Sequence, residues 1–597
     1  MEPDQLFKKR HSLAHILAMA VLEIFPEAKL AIGPPIDNGF YYDFDLPRAI
    51  QPEDLPDLKK RMEQLAAGGL TFTQSVASIE DAKKRFEGQP YKLELINDLA
   101  EKGEKEVSLY TSDTFTDLCK GPHVGSSKEI APGSFALSHA AGAYWRGDEK
   151  RPMLQRIYGL AFDTPAELSA YQQMMEEAKR RDHRVLGPQL GIYMTSDLVG
   201  AGLPLWMPKG ETVKHLLQAY MREKEQAAGY QYVSTPVLAH EGLYQRSGHA
   251  RYYADEMYSF VDDEGNKFFM KPMNCPHHHM IFEKLTTSYR DLPLRLAEAG
   301  WVYRKELSGT LSGLIRVRGT ITQNDAHIYT TPEQLKEEFA GVLRLFKSVY
   351  DELGITGYWF RLSLPDFENN AEKYAGDQAV WENAAAEIRE TLMSSETPFV
   401  EVKGEASFYG PKVDVQIKNV TGKEDTIATC QVDILVPQRM NLTYIDEQGN
   451  EQHPIVIHRA ILGSYERFTA FLLEQTAGNL PFWLAPVQVV VIAVSDRFNE
   501  DAEEVAGQLR SSGIRVEVDD TGESVGKKIR NASLQKIPAK IVIGQQEVDS
   551  KSDAGPVGLS YSVKVNWRSD LEDLGGEVTE LQELREKMVA LVRSKRH

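Results

Sequence analysis

Apolar residues recur at helical spacing over residues 6–25 (Leu13, Ile16, Leu17, Ala20, Val21, Ile24), and the run stops at Pro26. A stretch rich in glycine and proline follows, and residues 39–44 read as a strand. Short helices and strands then mix through about residue 163, which predicts one α+β domain over 1–163. Residues 165–182 form a charged connecting helix within a 164–188 linker, and Pro188 and Gly191 mark the next boundary. Val213, Leu216, Leu217, Tyr220 and Met221 share one face of an amphipathic helix at 211–228. Residues 230–237 predict a strand interrupted by Pro236, which suits an edge or interface position. Up to residue 484 strands and helices mix without βαβ regularity, so 189–484 is expected to hold a mainly antiparallel sheet. The pattern changes at Pro481 and Pro486. From there strand (487–494), helix (499–510), strand (514–518), helix (525–536) and strand (540–544) predict a small α/β domain over 485–597. No Gly-x-Gly-x-x-Gly follows its first strand, so no dinucleotide site is expected.

Composition narrows the class. The chain has 597 residues, 42% apolar and 26% charged, as in an ordinary soluble globular protein. No run of about 18 apolar residues predicts a membrane span, and the polar N-terminus lacks the apolar centre of a signal peptide. Three cysteines give no disulfide framework, which fits a reducing cytosol. A net charge of −19 argues against binding nucleic acid through bulk charge, but leaves room for local basic patches. One such set is Lys527, Lys528, Arg530, Lys536 and Lys540, whose ordinary reading is a solvated helix face.

The densest chemistry lies in residues 301–327. Arg304 and Glu306 stand two apart on a β-like run, so both are expected to point one way. A guanidinium there suits a phosphate, and a carboxylate suits a purine amino group or a cation. A polar loop follows with Arg316 and Arg318, then Gln323, Asp325 and His327 at spacing two on a second strand. One hairpin would thus offer a phosphate clamp, a loop able to lie against a nucleic-acid end, and a polar pocket. Taken alone, an Arg-x-Glu pair is usually a surface ion pair and a lone histidine usually structural. Cys275, His327 and His458 would together make a three-ligand zinc site with an open fourth position. Their long separations make spacing no evidence for it, and the tract His277, His278, His279 is a competing metal-binding candidate. Arg467, near the start of an apolar helix, could reach a phosphate beside Arg304, although the helix dipole slightly disfavours a cation there. In the N-terminal domain His11 and His15 share a helix face at i and i+4, and Asp117, Cys119 and His123 follow later. Spacing alone reads this second set as another zinc site.

The motifs Met273-Asn274-Cys275-Pro276, Tyr303-Arg304-Lys305-Glu306, Arg316-Val317-Arg318-Gly319, Gln323-x-Asp325-x-His327, Phe408-Tyr409-Gly410-Pro411-Lys412 and His458-Arg459-Ala460-Ile461-Leu462-Gly463-Ser464-x-Glu466-Arg467 closely resemble those of the threonyl-tRNA synthetases, a family of class II aminoacyl-tRNA synthetases. The resemblance covers nearly the whole chain, and the motifs are specific jointly rather than singly. It implies ATP-dependent attachment of L-threonine to tRNA(Thr) through a threonyl-adenylate. It implies one zinc on Cys275, His327 and His458, engaging the amino and hydroxyl groups of threonine. Asp325 would accept from that hydroxyl, with Gln323, Tyr409, Gln431, Met273 and Ser464 in the pocket. Arg304, Arg467, Glu306, Arg316 and Lys412 would form the catalytic and nucleotide site, with Mg2+ accompanying ATP, and His249 would lie near the terminal ribose of tRNA. It also implies that residues 1–163 edit seryl-tRNA by metal-free, water-mediated deacylation, using His11, His15, Tyr42, Lys92, Asp117, Cys119 and His123. Residues 189–484 would be the catalytic domain and 485–597 the anticodon-binding domain, with Glu547 reading the anticodon. A cytoplasmic homodimer, joined near residues 211–237, is expected.

The chain also departs from the family pattern. Met1 stands just before the editing helix, where most bacterial members carry a small ubiquitin-like domain, so either this lineage lacks that domain or the chain is truncated. His277 replaces the usual glycine, and a residue is added between Gly319 and Gln323. The segment 426–431 lacks a glutamine expected near ATP or tRNA, and the segment 558–567 lacks its usual basic residues. The N-terminal difference and the 426–431 segment motivate one competing reading, a paralogue that binds tRNA or structured mRNA as a regulator; a second is a zinc-dependent hydrolase acting on aminoacyl-tRNA in trans through the N-terminal site alone. Intact Arg304, Arg467, Cys275, His327 and His458 argue against the first.

Overall fold

The structure, a computed structural model, describes residues 4–374, 378–553, 559–576 and 578–595. Gly558 of the departing C-terminal segment lies outside them. The chain forms two compact units, divided between Glu176 and Glu177.

In the first unit the predicted helix spans Gln5–Ile24, and the Asp4 side chain accepts from the Phe7 amide at 2.7 Å to cap it. Residues 11–21 are buried without a break. This helix therefore has no solvated face over three turns, and both the strand Gly39–Asp45 and the helix Asp54–Ala67 pack on it. His11 and His15 thus lie inside the unit rather than on a surface stripe. Lys29–Leu30, Gly39–Asp45, Met153–Ala161 and Phe135–Tyr144 pair in that order, with Pro35–Ile36 also on Gly39–Asp45. A separate three-stranded sheet (Thr73–Ser78, Glu106–Ser112, Phe115–Leu118) carries Asp117 on its last strand and leads the chain to Cys119 and His123.

The connecting helix spans Pro165–Arg181. The second unit is built on an eight-stranded sheet in the order Gln231–Tyr232, Leu294–Val302, Ile321–Thr330, Ile455–Ser464, Glu424–Asp433, Lys412–Lys418, Trp359–Leu364, Phe399–Lys403. It is antiparallel through its middle, as expected, and only the two outermost pairs are parallel. The predicted strand at 230–237 is shorter: only Gln231–Tyr232 pair, at the sheet edge, and Leu238–His240 join another sheet beyond Pro236. Before Pro236 the chain has already left the ladder, with the Thr235 amide donating to the Glu298 side chain at 2.8 Å. The main apolar core lies between this sheet and the helices Pro208–Ala227, Leu335–Glu352 and Tyr465–Gln475. Through that core, fully buried Arg459 pairs with Glu225 at 2.6 Å, tying the first of these helices to a central strand.

The C-terminal sheet runs Val516–Asp519, Val489–Ala493, Ala539–Ile543, Ser562–Trp567, Val578–Glu580. Its first three strands are the predicted ones and run parallel, and the last two add antiparallel. The basic set does not form one phosphate-facing patch. Lys528 is buried and donates to the carbonyls of Ala493 (2.9 Å) and Asp519 (3.1 Å), Lys540 is buried, and Lys527 pairs with Glu523 at 2.7 Å. Among the described residues no helix is long and apolar enough to cross a membrane.

Candidate active site

Sheet register assembles the site. His327 pairs with His458, His458 with Gln431 and Gln431 with Lys412, so residues far apart in sequence form one row across four strands. Gln323, Asp325 and His327 alternate along the first of these strands and all line the same cavity, as their period-two spacing requires. That cavity holds about 300 Å³ and is also lined by His249, Met273, Asn274, Cys275, Arg304, Tyr409, Lys412, Gln431 and His458.

Donor atoms of Cys275, His327 and His458 lie within 4.8 Å of one another. His458 turns Nε2 to Asp433 Oδ2 at 3.0 Å, and His327 turns Nδ1 to His278 Nδ1 at 2.8 Å. Each imidazole therefore keeps its second nitrogen for the cluster. Burial raises the Cys275 thiol pKa far above its ordinary value, and the charges of Asp325 and Asp433 add to this. A thiolate there needs a compensating cation, and one thiolate with two imidazoles is a donor set for a soft or borderline metal ion. The tract His277, His278, His279 is not a second metal site, because successive helical residues diverge. His278 meets Glu298 at 3.1 Å, His279 meets the Tyr329 hydroxyl at 2.9 Å, and His277 faces the Tyr244 ring.

Beside the donors, Asp325 Oδ2 accepts from Asn274 Nδ2 at 2.8 Å. Asn274 is fully buried over Gly300, where any Cβ would come within 2.3 Å of its side-chain oxygen. The glycine in that strand makes room for the amide. Gln431 is held at both ends. Its oxygen accepts from Tyr409 and from Ser407 (2.9 Å), and its nitrogen donates to Thr429 Oγ1 at 3.2 Å. Thr429 in turn donates to Asp414 at 2.9 Å. His249 Nδ1 meets Ser247 Oγ at 2.8 Å, and burial holds its pKa down to about 4. Sequence reasoning did not reach Ser407 or Asp433, met Thr429 only within the 426–431 segment, and read His278 only as part of a metal-binding tract. Asn274 carried a signal, its place inside the Met273 to Pro276 motif.

Several expected residues stand elsewhere. Arg304 and Glu306 are not on a strand and do not share a face. The ladder ends at Val302, which pairs with Ile321, so residues 303–320 are the hairpin loop and have no partner strand to impose alternation. Arg304 enters the cavity, with Nε donating to the Pro272 carbonyl at 3.2 Å. Glu306 pairs instead with exposed Arg316 at 3.3 Å, outside the cavity lining. Arg467 is also outside it, 3.5 Å from Asp425, and its pKa is lowered by burial. Ser464 caps its helix by accepting from the Arg467 amide at 3.2 Å and does not line the cavity. Glu547 accepts from the Gly544 amide at 2.9 Å, half-buried at the start of a short helix.

The first unit brings all seven of its expected residues together. Cys119 Sγ lies 3.2 Å from His11 Nε2 and 3.3 Å from His123 Nε2, and the donor atoms of His11, His15, Cys119 and His123 fall within 4.8 Å of one another. Beneath them, buried Asp117 accepts from Tyr42 at 2.6 Å, pairs with buried Lys92, and stands 3.6 Å from His15 Nε2. Burial lowers the pKa of His11, His15 and His123 and pushes the Cys119 thiol up to about 12. A third set, Asp182, His183 and Glu474, is saturated already: His183 bonds Glu474 at 2.6 Å and accepts from the Leu314 amide at 3.2 Å.

Residues 258–476 match the tRNA synthetase class II core domain (G, H, P, S and T), residues 488–573 an anticodon binding domain, and residues 107–158 the threonyl and alanyl tRNA synthetase second additional domain. The threonine–tRNA ligase of Halalkalibacterium halodurans is 47% identical over 569 residues, 93% of this chain and 87% of that protein. Threonine–tRNA ligase 1 of Bacillus subtilis is 47% identical over 544 residues, 91% and 84% of the two chains. The chain belongs to the threonyl-tRNA synthetase family. A crystal structure of the RNA binding domain of threonyl-tRNA synthetase from Cryptosporidium parvum superposes with a TM-score of 0.62 at 34% identity, covering 69% of this synthetase and 98% of that chain. The class II core match contains Cys275, His327 and His458. The additional-domain match contains Asp117, Cys119 and His123, whereas His11, His15, Tyr42 and Lys92 come from the residues before it.

One group in the synthetase core makes a pH prediction. Glu466 is fully buried beside the site, with Oε2 accepting from the Thr322 amide at 2.8 Å, and burial pushes its carboxyl up to about 7. A folded pKa above the unfolded one stabilises the fold fully below about pH 4.5, and that stability is lost as pH rises to about 7. A shift of this size corresponds to about 3 kcal/mol. Glu466→Gln keeps the acceptor and removes the charge. The variant is expected to melt several degrees above the parent at pH 8 and level with it at pH 4.5, read by thermal denaturation at both. Equal melting at pH 8 would show that Glu466 titrates normally.

Proposed function

We propose that the chain attaches L-threonine to tRNA(Thr) in two steps and hydrolyses mischarged seryl-tRNA(Thr) in its N-terminal unit. In this reading residues 1–163 are the editing domain, 164–188 the connecting helix, 189–484 the catalytic domain and 485–597 the anticodon-binding domain. The observation that carries it is the convergence of Cys275, His327 and His458 with Asp325, Gln323 and Arg304 in one cavity.

The thiol and two imidazoles would hold one zinc per subunit, which when bound supplies a Lewis acid and a template for the amino and hydroxyl groups of threonine. The residues around it do the rest. Asp325, oriented by Asn274, accepts from the substrate hydroxyl. Gln431, fixed by Tyr409, Ser407 and Thr429, presents a set amide edge to the amino acid. Arg304 lies where a phosphate enters, and Mg2+ accompanies ATP. The threonine carboxylate forms a bond to the α-phosphorus, the bond to the β-phosphate oxygen breaks, and pyrophosphate leaves. A hydroxyl of the terminal tRNA ribose, near His249, then takes the acyl group and AMP leaves. Arg316, Glu306 and Arg467, outside the cavity lining, would meet ATP or the tRNA end at its mouth.

Selectivity follows from the polar lining. A site built to bind a hydroxyl rejects an analogue lacking it by about 10⁴–10⁵, whereas one missing methyl changes binding by only about 1–3 kcal/mol. Valine is therefore excluded and serine is not, so a second site is needed. The cluster around Asp117 and Lys92 is the proposed answer, with Glu547 serving the anticodon. The enzyme is proposed to act as a cytoplasmic homodimer.

Amino-acid-dependent ATP–pyrophosphate exchange, with zinc counted on the same sample, tests this. Exchange with threonine, weaker exchange with serine, none with valine and about one zinc per chain are expected. No exchange despite bound zinc would favour an RNA-binding paralogue. Two zincs per chain would overturn the metal-free editing site.

A further inference from the structure

Behind His327 runs a chain of polar groups that the proposed reaction does not use. His278 is fully buried, with Nδ1 2.8 Å from His327 Nδ1 and Nε2 3.1 Å from Glu298 Oε2. Glu298, also buried, accepts from the Thr235 amide at 2.8 Å and the Thr235 hydroxyl at 2.9 Å. The buried ammonium of Lys271 stands 3.5 Å from this carboxylate and donates to Thr235 Oγ1 at 2.7 Å.

Hydrogen-bond roles along this chain constrain one another. A carboxylate beside a buried ammonium only accepts, so His278 Nε2 carries a hydrogen. Where that is the ring's one hydrogen, His278 Nδ1 is an acceptor. His327 Nδ1 must supply the hydrogen between the two rings. The lone pair of His327 is thereby left on Nε2, the nitrogen free to join Cys275 and His458. His458 shows the simpler version of the same device, with Asp433 accepting directly from its Nε2 at 3.0 Å and Nδ1 left free.

We propose that His278, oriented by Glu298, is a positioning residue that locks His327 in its Nδ1–H tautomer and so presents the Nε2 lone pair to the metal ion. This rests on the reading of Cys275, His327 and His458 as metal ligands. Groups that orient a ligating histidine from behind typically account for about 10–100-fold in metal affinity. His278 touches neither substrate nor ion, and its effect is on the ligand.

The test is zinc affinity of the full chain, measured by competition with a chromogenic chelator, in the parent, His278→Leu and His278→Gln. Leucine fills the space but neither accepts nor donates, whereas the glutamine amide does both. A loss of about 10–100-fold is expected for His278→Leu, with His278→Gln within a few-fold of the parent. A residue that only packs would give the opposite order. Equal affinity in His278→Leu and the parent, or equal loss in both variants, would overturn the proposal. Nitrogen-15 spectra of the histidine-labelled parent decide it even where the leucine variant does not fold. His278 is expected to be protonated at Nε2 alone and His327 at Nδ1 alone, and any other pattern refutes the relay. A parent that binds no zinc overturns the ligand reading and this proposal together. A zinc-binding parent with an unaffected leucine variant overturns this proposal only.

Discussion

Replacing Cys275 with alanine is expected to abolish threonine-dependent ATP–pyrophosphate exchange while seryl-tRNA hydrolysis continues at the parental rate. The thiol stands at the first residue of the helix Cys275–Leu285, buried beside Asp325, with His327 and His458 across the cavity. Its removal leaves two imidazoles, too few donors for a structured zinc site. Losing one group that stabilises developing charge typically costs about 10²–10³ in rate. Here the substrate's amino and hydroxyl groups lose their shared anchor as well, so exchange should fall below detection. Any residual exchange should discriminate threonine from valine poorly, falling from about 10⁴–10⁵ toward the about 10² expected of a pocket that merely fits the side chain. Hydrolysis of seryl-tRNA should persist because its cluster belongs to the other unit and shares no residue with this one. Exchange that survives with discrimination intact would mean that Cys275, His327 and His458 are not the threonine site.

The same comparison shows what can be read from residues alone. Period-two spacing of Gln323, Asp325 and His327 survives in the structure because these residues lie on a strand paired along both edges. Applied to Arg304 and Glu306, the rule fails: alternation is imposed by ladder hydrogen bonds, and the ladder has ended at Val302. The row from His327 through His458 and Gln431 to Lys412 depends on register between strands far apart in sequence, about which local spacing is silent. Only the joint motif resemblance brought those residues together. In the N-terminal helix the 3.6-residue pattern gave the right element but was silent on exposure. Periodicity reports one apolar face, whereas burial on all sides depends on what packs against it. The roles of Asp433, Thr429 and His278 escaped notice for a related reason. Each is a common polar residue whose importance comes from a partner remote in sequence. The first three strands of the C-terminal domain were legible because two are short, mostly apolar buried runs and Val516–Asp519 alternates apolar and acidic residues, all set between helices. Strand Ser562–Trp567, with Val563, Val565 and Trp567 inward, carries a period-two signal of the same quality.

Lys92 should prove as decisive in the first unit as Cys275 is in the second. Its ammonium is 2% exposed, paired with Asp117 and 5.4 Å from the Tyr42 ring centroid. Burying that charge is tolerable only because Asp117 balances it, and Asp117 is held in turn by the Tyr42 hydroxyl at 2.6 Å. Cys119 is a poor nucleophile here, since burial pushes its thiol up to about 12. The neighbouring histidines are held neutral by burial, and a neutral imidazole can polarise a water but cannot balance an oxyanion. The lysine is then the cation available to the negative charge that develops when water adds to the seryl ester and the ribose oxygen departs. Lys92→Met is therefore expected to slow deacylation of seryl-tRNA(Thr) by about 10²–10³, with threonine charging unchanged and serylated tRNA accumulating. Breaking a buried pair on one side also destabilises by about 3–5 kcal/mol, so lost editing could reflect an unfolded unit. The double variant Lys92→Met, Asp117→Asn separates the two effects, because it removes both charges. It should recover much of the melting temperature while editing stays absent. If the double variant regains editing along with stability, Lys92 serves the fold and the hydrolytic chemistry belongs to the histidines and their water.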